Sequence, residues 1–264
     1  MIDKLMIFSK LKKHDIGLII ARFSDLTKLK VDIDKFIKKV VIFDREVWGD
    51  ITDNRYIRNE EKVRSHFRIC PYLIYFALKN GEILATVGSI YTTESEIRNK
   101  KTWLEKTDNG FLTTHMPNGN VAFGVDLSVK KGALKKISDK IVFSAIFISL
   151  IGEGKKTVYI GSRIPSYHKH KDMKVEDYVY GTRKNGKPLD PELYFYIKNG
   201  FKIVEIIPEY MEDPESLNCG VLIKWDNPLY NATKIFPFLK PIIRFIGKKL
   251  FLRIPKNAEA LMQS

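Results

Sequence analysis

Three side chains that could take part in catalysis or binding lie in one stretch of the chain. Asp126 stands within the alternating segment from Val121 to Val129, and Arg163 and Tyr167 follow the next β-branched run. Asp126 could act as a general base if burial raised its pKa, or it could form an ion pair with Arg163 on the neighbouring strand. Because open parallel sheets place ligands at strand ends, Arg163 and Tyr167 are candidate substrate-binding residues, with packing of the turn as the alternative.

These side chains are positioned by a strand, a helix and a second strand between Asn120 and Pro165. The alternation over 121–129 predicts a strand, the apolar positions of 137–152 follow helical spacing, and 157–164 is again a β-branched run. Two strands joined through a helix should lie parallel, with a right-handed crossover. The start of that helix offers unpaired N–H groups and is the expected place for a phosphate-bearing ligand.

The first part of the chain predicts further strands and helices. Residues 17–23 read as a strand, and residues 31–48 and 59–67 carry apolar side chains at helical intervals, with Asn59 as an N-cap. Asn80-Gly81 separates two apolar runs and is a strong hairpin signal. The expected order here is one strand, two helices and an antiparallel hairpin.

The later part adds a helix, two strands and a long polar segment. Asp190-Pro191 is typical of a helix start and Asn199-Gly200 of its end, and residues 201–208 and 220–225 read as strands. Residues 93–119 are polar and long for a connection, which indicates a binding loop or an insertion.

Composition narrows the class of protein. The net charge of +14 is spread along the 264 residues without a zinc-finger spacing or an RNA-binding aromatic signature, so nucleic acid is disfavoured. An acidic partner, an anionic membrane or a phosphate-bearing ligand fits this charge equally well.

We expect a cytoplasmic protein, because no apolar run approaches the roughly 20 residues of a spanning helix and the start does not resemble a secretory signal. Cys70 and Cys219 are expected to be reduced thiols.

Metal binding is not predicted. His168 and His170 are the nearest approach to a ligand pair, but lysines crowd them and no cysteine lies close in the sequence. A solvated loop is the expected state of this segment.

The chain resembles the GNAT (GCN5-related N-acetyltransferase) superfamily. Tyr196-Ile197-Lys198-Asn199-Gly200-Phe201 is similar to its recurring Y-x-K-x-G-F motif, and the order of elements also agrees. A closer resemblance, through GSRIPSYHKH, DPELYFYIKNGFKIVEIIPEYMEDPES and GVLIKWDNPLY, is to the acetyltransferase-like domain found ahead of nitrilase-type amidohydrolases. The implied fold is α+β: a mixed, mostly antiparallel central sheet with a splayed parallel strand pair, flanked by helices and followed by a C-terminal helical extension.

The resemblance also implies an activity and a set of site residues. The activity is transfer of an acyl group, in the first instance acetyl, from acetyl-CoA or another acyl thioester to an amine of a small molecule or protein. Tyr196 would donate a proton to the sulfur, with packing of a helix aromatic as its alternative role. The strand around Asp126 would bind the carbonyl and the pantetheine through Leu127, Ser128 and Val129.

The family's glycine-rich pyrophosphate loop is replaced here. At this position the chain reads Leu134-Lys135-Lys136-Ile137-Ser138-Asp139, so Lys135 and Lys136 would supply charge and Ser138 would cap the helix. A donor held through its pantetheine arm, such as an acidic acyl carrier protein, depends less on the missing glycines. The alternatives are a long-chain acyltransferase at the membrane surface and a non-catalytic GNAT-like binding module.

The C-terminal part differs in character from the rest. We expect a GNAT-like domain over residues 1–230, with an insertion at 93–119, and a basic amphipathic extension over 231–264. Residues 232–254 could lie on the anionic inner face of the membrane, or pack on the domain or on a second subunit.

Overall fold

One mixed sheet forms the centre of the protein. The computed structural model describes residues 17–133 and 136–255. Within them, seven strands lie in the order β1–β2–β3–β4–β5–β7–β6, and every neighbouring pair is antiparallel except β4 and β5. This confirms the predicted fold class. The strands are β1 (Leu18–Arg22), β2 (Ile74–Lys79), β3 (Glu82–Thr92), β4 (Val121–Val129), β5 (Thr157–Arg163), β6 (Lys202–Ile207) and β7 (Gly220–Asp226).

Helices cover both faces of this sheet. They are α1 (Phe23–Lys28), α2 (Ile33–Trp48), α3 (Glu60–Ile69), α4 (Glu94–Asn99), α5 (Trp103–Thr107), α6 (Ile137–Ala145), α7 (Val175–Tyr180), α8 (Pro191–Lys198), α9 (Tyr230–Ile235) and α10 (Leu239–Phe251). A π-helix (Ile146–Ile151) continues α6, and short 3₁₀ turns span Tyr167–His170 and Pro214–Ser216. None of the helices in the described residues is long and apolar enough to cross a membrane.

Alternation along the strands creates two cores. Phe76 of β2 packs with Phe36 of α2, with ring centroids 5.1 Å apart, whereas its neighbours Tyr75 and Ala77 belong to the cluster of Ile137 and other α6 residues. Because successive side chains of a strand point to opposite faces, α2 and α6 lie on opposite faces of the sheet.

Local signals define several element ends. Asn59 accepts a hydrogen bond from the Lys62 N–H at the start of α3, and Asp190 caps α8 ahead of Pro191, as predicted. Gly200 ends α8 with a φ of +93°, a conformation that favours glycine.

The strands β4 and β5 separate after a short parallel ladder. Their register runs from Ala122 opposite Val158 to Gly124 opposite Ile160. On its other edge β4 continues to pair with β3, with a shift in register beside Gly88, and the Val125 carbonyl accepts a hydrogen bond from the Trp103 indole instead of from a strand. The predicted splayed parallel pair is therefore present.

The polar segment 93–119 forms part of the structure rather than an open loop. Thr93 caps α4, and Thr102 forms a capping box with Glu105 at the start of α5. Trp103 contacts β4 through its indole, so the segment holds a side chain against the splayed strands.

Candidate active site

A cavity of about 160 Å³ lies where β4 and β5 separate. Trp48 of α2 and His66 of α3 line it from one face of the sheet, whereas Val142 of α6 and Leu150 of the π-helix line it from the other. The cavity thus passes through the sheet at the gap between the two strands.

The backbone of β4 presents hydrogen-bond groups to this gap. The Lys130 N–H donates to the Leu84 carbonyl of β3 at 2.9 Å, and N–H groups of a strand alternate in direction. The N–H groups of Leu127 and Val129 therefore point away from β3, toward the side that β5 has left. Leu127 lines the cavity, so its N–H is the best-placed donor, whereas Val129 is not among the lining residues.

Ser128, which was also predicted to bind the cofactor, instead connects β4 to α2. It is buried, its hydroxyl accepts a hydrogen bond from the Trp48 indole at 2.6 Å, and it donates to the Asp126 carboxylate. These bonds fix α2 against β4 and leave no exposed hydroxyl for a ligand.

Asp126 lines the cavity and is held by several partners. Its carboxylate lies 3.2 Å from the Arg58 guanidinium, and it accepts a hydrogen bond from Thr86 as well as from Ser128. Burial and the nearby charge of Asp44 raise the pKa of Asp126, against the opposing effect of Arg58. The ion pair with Arg163 considered from the sequence is wrong, since the Asp126 partner is Arg58.

Arg163 reaches the cavity as a fixed cation. Its guanidinium donates to both carboxylate oxygens of Asp213, at 2.7 and 2.8 Å, and to Glu215 at 2.9 Å. It also lies over the Trp48 ring, 5.3 Å from the centroid. Because so many contacts immobilise it, Arg163 can present charge to a ligand with little loss of side-chain entropy.

Tyr167 does not lie at the cavity. Its hydroxyl donates to the Met173 carbonyl at 2.9 Å, and its ring packs against Tyr178 with centroids 5.0 Å apart. The structure gives Tyr167 the packing role that was the alternative to substrate contact.

Lys136 and Ser138, two of the predicted pyrophosphate-binding residues, do not line the cavity. Lys135 falls outside the described residues, and Lys136 is an exposed N-cap of α6 with a φ of +67°. Ser138 is inside the helix rather than at its cap, so the prediction that it caps α6 is wrong. Asp139, in the same turn, accepts a hydrogen bond from the Asn199 amide at 3.1 Å and lies 4.0 Å from the Lys198 amine, which offset its negative charge.

Helix α8 brings Tyr196 and Glu192 to the cavity. The two residues are one turn apart, so they share a face of the helix, and both line the cavity. Tyr196 is buried, with 6% of its surface exposed. Burial, followed by the charges of Glu192, Tyr210 and Asp126, raises the pKa of Tyr196.

Glu192 was missed in the sequence, although it precedes Tyr196 by the four residues that place two side chains on one helix face. Burial raises its pKa to about 7, with the charge of Arg163, 4.0 Å away, acting in the opposite direction. Its side chain lines the cavity and is 41% accessible. A carboxyl group whose pKa lies near neutrality is suited to act as a general base.

Two polar groups at the cavity lack hydrogen-bond partners among the described residues. The hydroxyl of Tyr210, which the sequence analysis also missed, is buried and has no hydrogen-bond partner among the described residues. His66 bonds the Gly110 carbonyl at 2.7 Å through Nε2, so that nitrogen carries the proton, and Nδ1 lacks a partner in the same part of the chain. Burial and the charge of Arg58 lower the pKa of His66 to about 3, so its ring stays neutral.

No metal centre accompanies these groups. In residues 17–133 and 136–255, no three or more His, Cys, Asp or Glu side chains are grouped to hold a metal ion. His168 instead bonds the Pro165 carbonyl at 2.8 Å and is exposed. The two cysteines are free thiols, with Cys70 buried and Cys219 half-buried.

Solved structures share this fold. The loading GNATL domain of CurA from Lyngbya majuscula has a TM-score of 0.63 and 17% identity, covering 79% of this chain and 96% of that domain. A GphF GNAT-like decarboxylase in complex with isobutyryl-CoA has a TM-score of 0.60 and 19% identity, covering 79% of this chain and 98% of that one.

Two proteins of Bacillus subtilis are similar in sequence. The uncharacterized N-acetyltransferase YkwB is 29% identical over 195 residues, which cover 74% of this chain and 86% of YkwB. The probable hydrolase YhcX is 29% identical over 241 residues, which cover 84% of this chain but only 47% of YhcX. The chain therefore spans about half the length of YhcX. No protein-family model matches it.

The chain has the fold of GNAT-like domains. It is also similar in sequence, at 29% identity, to a protein named as an N-acetyltransferase. The more specific resemblance, to domains that precede nitrilase-type amidohydrolases, stays a prediction.

Proposed function

We propose that this protein transfers an acyl group, in the first instance acetyl, from an acyl thioester to an amine. The proposal rests on one observation. Tyr196 and Glu192 lie on the same face of α8, and both line the cavity at the gap between β4 and β5. Two similarities support it: YkwB is named as an N-acetyltransferase, and a structure of the same fold binds isobutyryl-CoA.

The thioester carbonyl fits the open edge of β4. A hydrogen bond from the Leu127 N–H would stabilise the negative charge that forms on the carbonyl oxygen when the amine attacks. Such a donor is fixed in advance by the strand and needs no rearrangement during the reaction. The pantetheine arm of the donor would then continue along the same edge, beside α6.

Glu192 is suited to accept the proton of the attacking amine. An amine attacks only through a free lone pair, so the ammonium form must first lose a proton. A carboxylate whose pKa is about 7 is largely ionised just above neutral pH and still basic enough to take that proton. Asp126 fits this role less well, because Arg58, Thr86 and Ser128 already occupy its carboxylate. Its proposed role is to position α3 and β4.

Tyr196 is suited to assist departure of the thiolate. As the carbon–nitrogen bond forms, the carbon–sulfur bond breaks and the electron pair goes to sulfur. The raised pKa of Tyr196 keeps its hydroxyl protonated throughout the physiological range, so it can donate a hydrogen bond that stabilises the charge forming on that sulfur. Starting from the ammonium form, the nitrogen loses two protons: the first goes to Glu192 and on to solvent, and the second, lost as the amide forms, equals the one that the thiol receives.

The acyl donor can be an acyl-CoA or an acyl carrier protein. Lys131 and Lys136 are exposed beside the start of α6 and can attract phosphate without the family's glycines. Either donor ends in the same pantetheine thioester, so the chemistry at Tyr196 and Glu192 is common to both.

Release of thiol from acetyl-CoA in the presence of a panel of amines tests the proposal, with mass spectrometry of the acylated product. We expect Tyr196→Phe to lower kcat at least about tenfold, because the fold persists but the donor hydroxyl is lost. Tyr194→Phe, on the same helix but away from the cavity, is the matched control. Transfer that is unchanged in Tyr196→Phe would contradict the assignment, and failure to bind acetyl-CoA, a long-chain acyl-CoA and an acyl carrier protein would favour a binding module.

A further inference from the structure

The last described helix presents its apolar side to solvent. Five large apolar side chains on one side of α10 and its preceding turn are 40–68% exposed. We call them the C-terminal apolar face; they are Phe238, Ile242, Phe245, Ile246 and Leu250. A helix docked on a domain normally turns its apolar stripe toward the core and its polar side outward.

The orientation of α10 is fixed by its opposite side. Gly247 and Phe251 are buried against Phe147 of the π-helix, with the two phenylalanine rings 5.3 Å apart. A Cβ at Gly247 would come within 2.6 Å of Phe147, so the close approach depends on glycine. Arg244 adds an ion pair to Glu153 at 2.9 Å. Because these contacts hold the inner side, the C-terminal apolar face cannot turn inward without losing them.

The charge around the C-terminal apolar face indicates which kind of surface it binds. From Asn227 to Ala258 the sequence contains no aspartate or glutamate, and it carries seven basic residues, namely Lys234, Lys240, Arg244, Lys248, Lys249, Arg253 and Lys256. Two copies of the chain placed face to face would bring like charges together. A negatively charged surface is favoured by the same charges.

The shape of the face distinguishes between negatively charged partners. The apolar side chains protrude from one helix on the outside of the domain, with Lys248 and Lys249 exposed beside them. A protruding apolar stripe flanked by lysines suits the boundary between lipid headgroups and acyl chains, where the rings insert and the amines remain at the phosphates. We propose that the C-terminal apolar face binds the surface of an anionic lipid bilayer.

This proposal stands apart from the proposed acyl transfer. Residues of α10 do not line the cavity, so changes on its outer side leave the candidate active site intact. Loss of one property can therefore be measured while the other is retained.

Sedimentation of the full chain with vesicles tests the proposal. One vesicle set contains phosphatidylcholine alone and the other phosphatidylcholine with phosphatidylglycerol, each at low and high salt. We expect binding to the mixed vesicles that weakens at high salt, because the lysines contribute through screened charge. Phe245→Ser should lower the partition coefficient about tenfold or more, since a large apolar side chain no longer enters the bilayer. Ile42→Ser on α2, where an isoleucine is 65% exposed, is the matched control.

Three results would overturn the proposal. The first is no binding to the mixed vesicles. The second is equal binding by Phe245→Ser and the unchanged protein. The third is a dimer, detected by light scattering, that Phe245→Ser dissociates, because the face would then be an interface between two copies of the chain.

Discussion

Replacing Glu192 with glutamine should stabilise the protein above neutral pH. Burial raises the pKa of Glu192 from 4.5 to about 7, so the folded chain retains a proton there that the unfolded chain releases. Between these two values the free energy of unfolding falls as the pH rises, and above about 7 the ionised carboxylate carries the full cost. Glutamine has no ionised form and escapes this cost.

The size of the expected stabilisation follows from the pKa shift of Glu192 and from the exposure of its side chain. Converted in full, the difference between 4.5 and 7 is worth about 3 kcal/mol. Because 41% of the Glu192 side chain is accessible, solvent screens the charge, and we expect Glu192→Gln to add about 1 kcal/mol at about pH 8. At about pH 5 the two proteins should be nearly equal.

Urea unfolding at both pH values measures this difference. Glu176→Gln, in which an exposed carboxylate is removed from α7, is the matched control. The same variants give a kinetic test: kcat/KM of the unchanged protein should rise with pH and level off above about 7, whereas Glu192→Gln should lose at least about 100-fold and show no inflection there.

Two outcomes would refute the reasoning. If Glu192→Gln is no more stable than the unchanged protein at about pH 8, the pKa of Glu192 is not raised. If the inflection near 7 persists in the variant, a different group accepts the proton.

Two further substitutions test how the site is held together. Gly161→Ala on β5 should destabilise the protein by about 1–3 kcal/mol, because its Cβ would overlap the Tyr210 side chain; urea unfolding measures this, and an unchanged midpoint would mean that Tyr210 does not lie over β5. Arg58→Met should cost about 3–5 kcal/mol at neutral pH, since it leaves the buried carboxylates of Asp44 and Asp126 without their shared cation, and a loss below about 1 kcal/mol would contradict that pairing.

The parts of the fold that the sequence predicted depend on local signals. The hairpin follows from Asn80-Gly81, where both residues adopt the positive φ that a tight turn between β2 and β3 requires. The parallel pair follows from the change of period across 121–164, which forces a crossover connection. Such signals involve residues close in the chain, so no knowledge of distant contacts is needed.

Ion pairs between distant segments could not be predicted in the same way. Alternation along β4 predicts that Asp126 faces the side of the sheet opposite Val125. It does not predict that Arg58, from the segment before α3, lies on that side and pairs with Asp126. Likewise Arg163 is paired with Asp213, which lies 50 residues further along the chain. Several arginines and carboxylates of this sequence satisfy the same charge rule, and only the packed structure selects among them.

Glu192 and Tyr210 show two different reasons for a missed residue. Glu192 was visible in principle, because its spacing from Tyr196 places both on one face of α8. Tyr210 was not, because it lies in the irregular connection between β6 and β7, where no period relates a side chain to a face. Its importance depends on packing over Gly161, a contact between segments that the sequence does not connect.

The passage of the cavity through the sheet bears on the order of events in the proposed transfer. Trp48 and His66 line it from the face of α2 and α3, and Val142 and Leu150 line it from the face of α6. A donor and an acceptor can therefore approach the gap between β4 and β5 from opposite faces and be bound together. Neither free cysteine lines the cavity, so the described part of the chain offers no thiol there to carry the acyl group between two half-reactions. Direct attack of the amine on the bound thioester, within one ternary complex, is the course that this geometry favours.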